Sequence, residues 1–307
     1  MESRDQVNFN LNQKIVFGGH AAPIYSLSFS NSKGQIFSAS GDRIVTSWNL
    51  ETGLNDSFSI KVDHTPYCIQ FITEHQLLAI GLSNGSIHII DVANKQEIRH
   101  LKLHEAAIFD IQIVDGKMFV TTSNSEISIW NLPDFTLIKA ISLNSGKIRK
   151  VNFWNDQMIL GCESGEIRIV DFKLFQETFR YQAHDSACNV AIKHPSKDII
   201  ISGGKDAHIR ISDPNTREEL YAFPAHQFAI YELKADLENN VLISVSRDKT
   251  IKIWDLKTFD LIQKIDHHHA GHNRSVNTMI LDSENQLFFT AGDDQKIIGW
   301  NYSKTTS

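Results

Sequence analysis

Histidine, a hydroxyl residue and aspartate recur together along this chain. His20 stands with Ser38 and Asp42, His184 with Ser202 and Asp206, His226 with Ser244 and Asp248, and His272 with Thr290 and Asp294. An imidazole between a hydroxyl and a carboxylate is the arrangement that activates a nucleophile for acyl transfer, so on residue type alone each set is a candidate triad. Their repetition argues against that chemistry. A nucleophile needs one exposed position beside an oxyanion hole, whereas these sets return at the same phase, three of them extended by an indole at Trp48, Trp254 and Trp300. A motif copied around a chain reads as scaffold, and no catalytic residue is expected.

A second cluster, Asp266, His267, His268, His269 and His272, has donors that suit zinc, nickel or copper. Neighbouring histidines alternate in direction, and His272 already belongs to one of the four sets. The expectation is a polar loop with no metal and no cofactor.

The elements that place these residues are short strands. Residues 242–256 (LISVSRDKTIKIWDL) read as a hairpin: a strand, a polar turn at Arg247-Asp248-Lys249, and a second strand in which Ile251 and Ile253 alternate with Lys252 and Trp254. The same phrase recurs seven times, anchored at Trp48, Ile90, Trp130, Val170, Ser212, Trp254 and Trp300, each followed by Asp or Asn. The gaps are 42, 40, 40, 42, 42 and 46 residues. Roughly 28 residues before each anchor lies a second marker: His20, His64, His104, Asn144, His184, His226 and His272. Such a period marks units that cannot bury their faces alone. A GH-like pair (Gly19-His20, Gly271-His272), a D-containing turn and a terminal WD-like pair at this spacing resemble the WD-repeat β-propeller family, over about residues 11 to 302.

That resemblance implies an all-β fold, a seven-bladed β-propeller of four-stranded antiparallel blades in one domain, with repeats ending near 49, 91, 131, 171, 213, 255 and 301. Little chain follows Trp300-Asn301, so the strand at 11–17 is expected to complete the last blade and close the ring, which limits exposed strand edges. It also implies that each quartet is a buried relay from indole to hydroxyl to imidazole to carboxylate. Repeats two and four lack both Trp and hydroxyl, and repeat three has Val120 at the hydroxyl position, so blades two to four are expected to rely on apolar packing. Five residues past each marker, the resemblance places Tyr25, Ile69, Phe109, Arg149, Asn189, Tyr231 and Asn277 around the top mouth of a central channel, with Lys147 and Arg247 nearby. Aromatics and Arg dominate interface hot spots, and the basic residues suit an acidic or phosphorylated partner.

Composition narrows the classes. A net charge of −6 lacks the basic excess of a broadly nucleic-acid-binding surface. No apolar run is long enough to span a bilayer, and the N-terminal ten residues hold no apolar leader core. Residues 1–6 are expected to be loose. Cys68, Cys162 and Cys188 lie in different repeats without metal-ligand spacing, which reads as buried free thiols in a reducing compartment; a cytoplasmic location follows as an expectation. The function expected is a non-catalytic protein-interaction scaffold, monomeric on its own, gripping a protein or peptide at the top face, without membrane or nucleic acid. The competing readings are a small-ligand receptor or enzyme using the channel, and a nucleic-acid-associated module using Lys147, Arg149 and Arg247.

Overall fold

The computed structural model describes residues 8–30 and 34–305; the expectation for residues 1–6 lies outside them. Seven separate four-stranded antiparallel sheets form a ring. From the axis outward, blade one is Ile24–Phe29, Gln35–Ser40, Ile44–Asn49 and Asn55–Lys61. Blade two is Pro66–Ile72, Leu77–Leu82, Ser86–Asp91 and Gln96–Lys102. Blade three is Ile108–Val114, Lys117–Thr122, Glu126–Asn131 and Leu137–Ser142. Blade four is Ile148–Trp154, Gln157–Cys162, Glu166–Asp171 and Gln176–Gln182. Blade five is Cys188–Lys193, Ile200–Gly204, His208–Ser212 and Glu219–Pro224. Blade six is Ile230–Asp236, Val241–Ser246, Ile251–Asp255 and Leu261–Ile265. Blade seven takes Val276–Asp282, Leu287–Gly292 and Lys296–Thr305, and its outer strand is the N-terminal Asn8–Gly18. The expected ring closure is therefore present and longer than residues 11–17.

Second and third strands are packed on both faces by the adjoining blades and are buried almost throughout, as at Leu77–Leu82 and Val241–Ser246. Outer strands such as Gln96–Lys102 face solvent. This burial gradient explains why the middle strands are nearly continuous apolar runs while the outer ones alternate or are polar. The hairpin between second and third strands turns on one left-handed residue in every blade: Arg43, Gly85, Ser125, Gly165, Ala207, Lys249 and Gln295. Glycine is required at 85 and 165, where a Cβ would stand 2.2 and 2.3 Å from the carbonyl oxygens of His104 and His184. In blades one, five, six and seven the preceding aspartate supports the turn by accepting the N–H two residues on, as Asp42 does from Ile44 at 2.9 Å.

Because inner strands of successive blades belong to different sheets, side chains must join them. Each of the seven junctions has one. Ser26 accepts from the Ile69 N–H (3.1 Å), Asp110 from Val151 N–H (3.0 Å) and Glu232 from Met279 N–H (2.9 Å). Asn152 donates to the Ala191 carbonyl (2.9 Å), Asn189 to Ile230 (2.8 Å) and Asn277 to Ile24 (3.1 Å). The Cys68 thiol lies 3.8 Å from the Ile108 carbonyl.

All three cysteines are free and buried; burial pushes the Cys162 thiol up to about 11. Two single-turn 3-10 segments, Thr73–His75 and His267–His269, are the helical pieces among the described residues. None of the helices is long or apolar enough to cross a membrane.

Phe17, 1% exposed in the N-terminal strand, packs against Trp48 of blade one and Phe289 of blade seven. Phe17→Ala should cost about 3–5 kcal/mol, as loss of a buried aromatic does, whereas Val16→Ala, 42% exposed on the same strand, should change stability by less than about 0.5 kcal/mol. Denaturant melts of the two variants provide the comparison.

Candidate functional site at the channel mouth

In every blade the inner strand breaks register with its neighbour near its start, for example between Ile24 and Ser26 and between Pro66 and Cys68. A bulge re-aims the unpaired side chain. The re-aimed residues are Tyr25, Tyr67, Phe109, Arg149, Asn189, Tyr231 and Asn277. Six of these match the sequence expectation. Ile69 does not: it is 3% exposed, in the apolar layer with Phe37 and Phe71, and Tyr67 holds the mouth position. The error is a slip of two residues. Position 62 of blade two carries the valine Val62 where other blades carry the marker, while His64 is a half-exposed residue paired with Asp63 at 3.0 Å.

Tyr25, Tyr67 and Phe109 form a chain of rings with centroids 5.2 and 5.6 Å apart. The Arg149 guanidinium lies 5.6 Å from the Phe109 ring centre and 4.9 Å from that of Tyr231. These residues, with Arg247, Ser275, Asn277 and Asp293, line a cavity of about 370 Å³. Among the described residues Arg149 has no carboxylate within ion-pair distance. Burial pulls its pKa down from the ordinary value, against the pull of Tyr231 and Tyr67. A cation held between two π faces is fixed in direction, yet its five donors remain available for a planar anion.

The other expected mouth residues divide differently. Asn189 and Asn277 commit their amides to the blade junctions described above, and Asn277 also donates to Asp293 at 2.7 Å. Lys147 pairs with Glu163 at 3.3 Å and faces a smaller neighbouring cavity with Asn189 and Lys205. Arg247 is exposed at the rim, 6.0 Å above the Phe228 ring. One step deeper in the channel lies a group the sequence reading lacks: Lys150 stands 3.6 Å from Asp110 and 3.8 Å from Glu232. Burial would lower the Lys150 pKa, but the two carboxylates outweigh it and hold the ammonium charged. Both acids also accept a neighbouring blade's N–H, so they are structural partners rather than a free acid–base pair.

The quartets are relays. In blade six Trp254 donates to Ser244 Oγ (2.9 Å), Ser244 lies 2.8 Å from His226 Nε2, and His226 Nδ1 lies 2.9 Å from Asp248. Burial lowers the His226 pKa, so the neutral ring donates from Nδ1 and accepts at Nε2. In blade one the Trp48–Ser38, Ser38–His20 and His20–Asp42 distances are 2.7, 2.7 and 2.9 Å. In blade seven Trp300–Thr290, Thr290–His272 and His272–Asp294 are 3.0, 2.9 and 2.9 Å. Blade five keeps His184 with Ser202 (2.9 Å) and Asp206 (3.0 Å), and Tyr181 bonds Ser212 at 2.6 Å where the indole would stand. Blade three adds a relay to the mainly apolar packing expected there. His104 bonds Ser128 (2.8 Å) and Glu126 (2.8 Å), and Trp130 donates to Ser128 (2.8 Å). Its inner hairpin is two residues shorter, so the hydroxyl comes from the third strand, opposite Val120. In blade four Arg168 joins Glu166 (2.7 Å), Glu177 (2.9 Å) and the Leu143 carbonyl (2.6 Å) instead. At residues 266–269, Asp266 accepts from the His268 N–H and pairs with His269 Nδ1 at 2.9 Å.

The family model described as WD domain, G-beta repeat matches residues 11–49, 175–213, 217–255 and 263–301, the segments that carry the relays of blades one, five, six and seven. Among curated proteins, the chain is 27% identical to human Pre-mRNA-processing factor 17 over 236 residues, 58% of this chain and 40% of that protein. It is 25% identical to U3 small nucleolar RNA-associated protein 4 of Saccharomyces cerevisiae over 201 residues, 57% of this chain and 25% of that one. It is 27% identical to human WD repeat-containing protein 3 over 128 residues, 41% and 13% respectively. The chain thus spans well under half the length of these relatives. Relatives named for pre-mRNA processing and for a small nucleolar RNA overturn the cytoplasmic expectation. Free thiols mark a reducing compartment, and the nucleus is one as much as the cytoplasm is.

Removing His226 strands the buried Ser244 hydroxyl and the Asp248 carboxylate, so His226→Ala should cost on the order of 1–3 kcal/mol. His104→Ala should cost a similar amount, and His64→Ala less than about 0.5 kcal/mol; urea melts rank the three. Acid should act through the same relays. Burial alone would raise the Asp206 carboxyl, but the His184 hydrogen bond and charge, the His208 N–H and Arg210 bring it down to about 2. With an unfolded value of about 3.9, its contribution is complete above about pH 4 and disappears as pH falls through about 2. Asp206→Asn should therefore flatten that limb of the stability–pH curve.

Proposed function

The chain belongs to the WD domain, G-beta repeat family, and from that premise we propose that it is a non-catalytic scaffold of RNA-processing machinery that grips an acidic segment of a protein partner at the mouth of its central channel. The RNA-processing context is carried by the relatives named for pre-mRNA processing and for a small nucleolar RNA.

The observation that carries the binding mode is Arg149: a guanidinium pinned between Phe109 and Tyr231 at a cavity of about 370 Å³, with no acid of its own among the described residues. A partner's carboxylate or phosphoryl group would supply the missing counter-charge, and the ring chain of Tyr25, Tyr67 and Phe109 would take up flanking apolar side chains. A preformed cage reduces the ordering cost of binding. The reading without catalysis is supported deeper in the channel, where Lys150 pairs with Asp110 and Glu232, Lys234 also pairs with Glu232 at 3.5 Å, and both acids hold adjacent blades.

The test is affinity capture from the native cell with wild type, Arg149→Ala and the triple variant Tyr25→Ala/Phe109→Ala/Tyr231→Ala. Arg149→Ala should lose a protein partner by at least about tenfold, as hot-spot Arg truncation does, with an unchanged melting temperature. Retention of every partner by both variants would remove the site from the mouth. Capture that depends on intact RNA and falls steeply with salt would replace the protein partner with a nucleic acid.

A further inference from the structure

Blade two carries no relay, since Val62, Ile80 and Ile90 stand where blades one, six and seven have His, a hydroxyl and Trp. Its third and fourth strands are instead joined by His88, Glu97 and His100. His88 and His100 are direct cross-strand partners, and Glu97 is the partner of Ile90. A bulge at Ile98 separates them in register, so Glu97 and His100, three residues apart, lie on the same face as His88. His88 Nδ1 is 3.1 Å from Glu97 Oε2, and His100 Nδ1 is 3.9 Å from Glu97 Oε1. The imidazoles are stacked with centroids 4.5 Å apart, and one donor atom from each of the three residues falls within 4.8 Å of the others.

From this geometry we propose that the outer edge of blade two binds one divalent first-row transition ion, zinc by its donor set, through His88, Glu97 and His100. Zinc takes imidazole nitrogen and carboxylate oxygen at about 2.0–2.2 Å, which places neighbouring ligand atoms about 3.2–3.5 Å apart. The 3.1 Å pair is already within about 0.1 Å of that spacing. The 3.9 Å pair closes by rotation of Glu97 and His100, both about half exposed.

A second observation concerns the far side of the fixed ligand. His88 is 9% exposed, and its Nε2 is a buried nitrogen without a hydrogen-bond partner. Asp63 Oδ1 lies 3.8 Å from it. With Nδ1 on the ion, Nε2 carries the proton, and closure of the 3.8 Å gap to Asp63 would give the outer-shell arrangement that orients metal-bound histidine. The corresponding positions of blades four and five show what a metal-free version looks like. There the third-strand residue is Arg168 or Arg210, paired with Glu177 at 2.9 Å or Glu219 at 2.7 Å. A guanidinium offers donors and no lone pair. Blade two keeps the glutamate and has imidazoles, which can supply lone pairs, where blade four has the guanidiniums of Arg168 and Arg180.

The test uses the full chain, stripped with chelator and titrated with Zn2+ by calorimetry and with Co2+ by visible absorption. One equivalent should bind, raise the melting temperature and give Co2+ an intense low-symmetry spectrum. Affinity should fall at least about tenfold in His100→Ala and in Glu97→Gln, since each removes a ligand. Both residues are half-exposed on an outer strand, so both variants keep the fold; an unchanged circular dichroism spectrum checks that. His267→Ala/His269→Ala, which alters the other histidine cluster, should bind as wild type does. Absence of binding, equal affinity in His100→Ala, or loss in the His267→Ala/His269→Ala control would each overturn the proposal. The first outcome leaves a plain His–Glu ion pair.

Discussion

A ring of separate sheets has to be held together across its seams, and backbone pairing cannot do it there. Hydrogen-bonded ladders run within each blade, and among the described residues only the pairing of Asn8–Gly18 with Lys296–Thr305 joins distant parts of the chain. Every junction between inner strands is therefore carried by a side chain bonding the next blade's backbone, from Ser26 at the first to Asn277 at the last. A buried N–H left without an acceptor costs about as much as a hydrogen bond is worth in a dry interior. That requirement dictates what the channel wall can be made of. It explains why acids and amides line a passage that performs no acid–base chemistry in this reading.

The same requirement separates scaffold from site. Asp110 and Glu232 look like channel carboxylates that could bind a small ligand or a proton. Each is anchored by an N–H of the adjoining blade, and both share Lys150. Asn189 and Asn277 reach the mouth but spend their amides on the seams. What remains without an internal obligation is the group of rings and Arg149. Their packing against one another is sufficient to orient them and leaves the guanidinium edge available.

Much of this was legible before any coordinates. The hydroxyl–histidine, indole–hydroxyl and histidine–carboxylate separations of 18, 10 and 22 residues recur in blades one, six and seven. Constant sequence separation made the quartets visible as a repeated set, and the resemblance to the WD-repeat family implied that each is a buried relay. The failures have different physical origins. Blade two has no histidine at the marker position, and counting from the nearby His64 moves the mouth residue from Tyr67 to Ile69. Blade three shortens a hairpin by two residues, and the relay survives by drawing Ser128 and Glu126 from the next strand. The Lys150 group joins blades three, four and six, a relation that no periodicity within one repeat can express.

These departures also show how the fold tolerates change. The relay in each blade ties the marker loop to the second and third strands, but several chemistries accomplish that. Trp–Ser–His–Asp does it in blade six, Ser128 and Glu126 in blade three, and Arg168 with Glu166 and Glu177 in blade four. Because each blade is stabilised mainly by its two apolar faces, exchanging one polar clasp for another alters the total only modestly. Blades two to four, where the clasps have diverged furthest, also contribute Tyr67, Phe109 and Arg149 to the mouth. Freedom from the strict repeat and the capacity to present an unrepeated surface therefore occur in the same sector. A ring of seven identical blades would offer seven equivalent mouth residues and no directional preference. The Arg149 cation, placed on one side of the axis, gives this mouth an orientation that a ring of identical blades would lack.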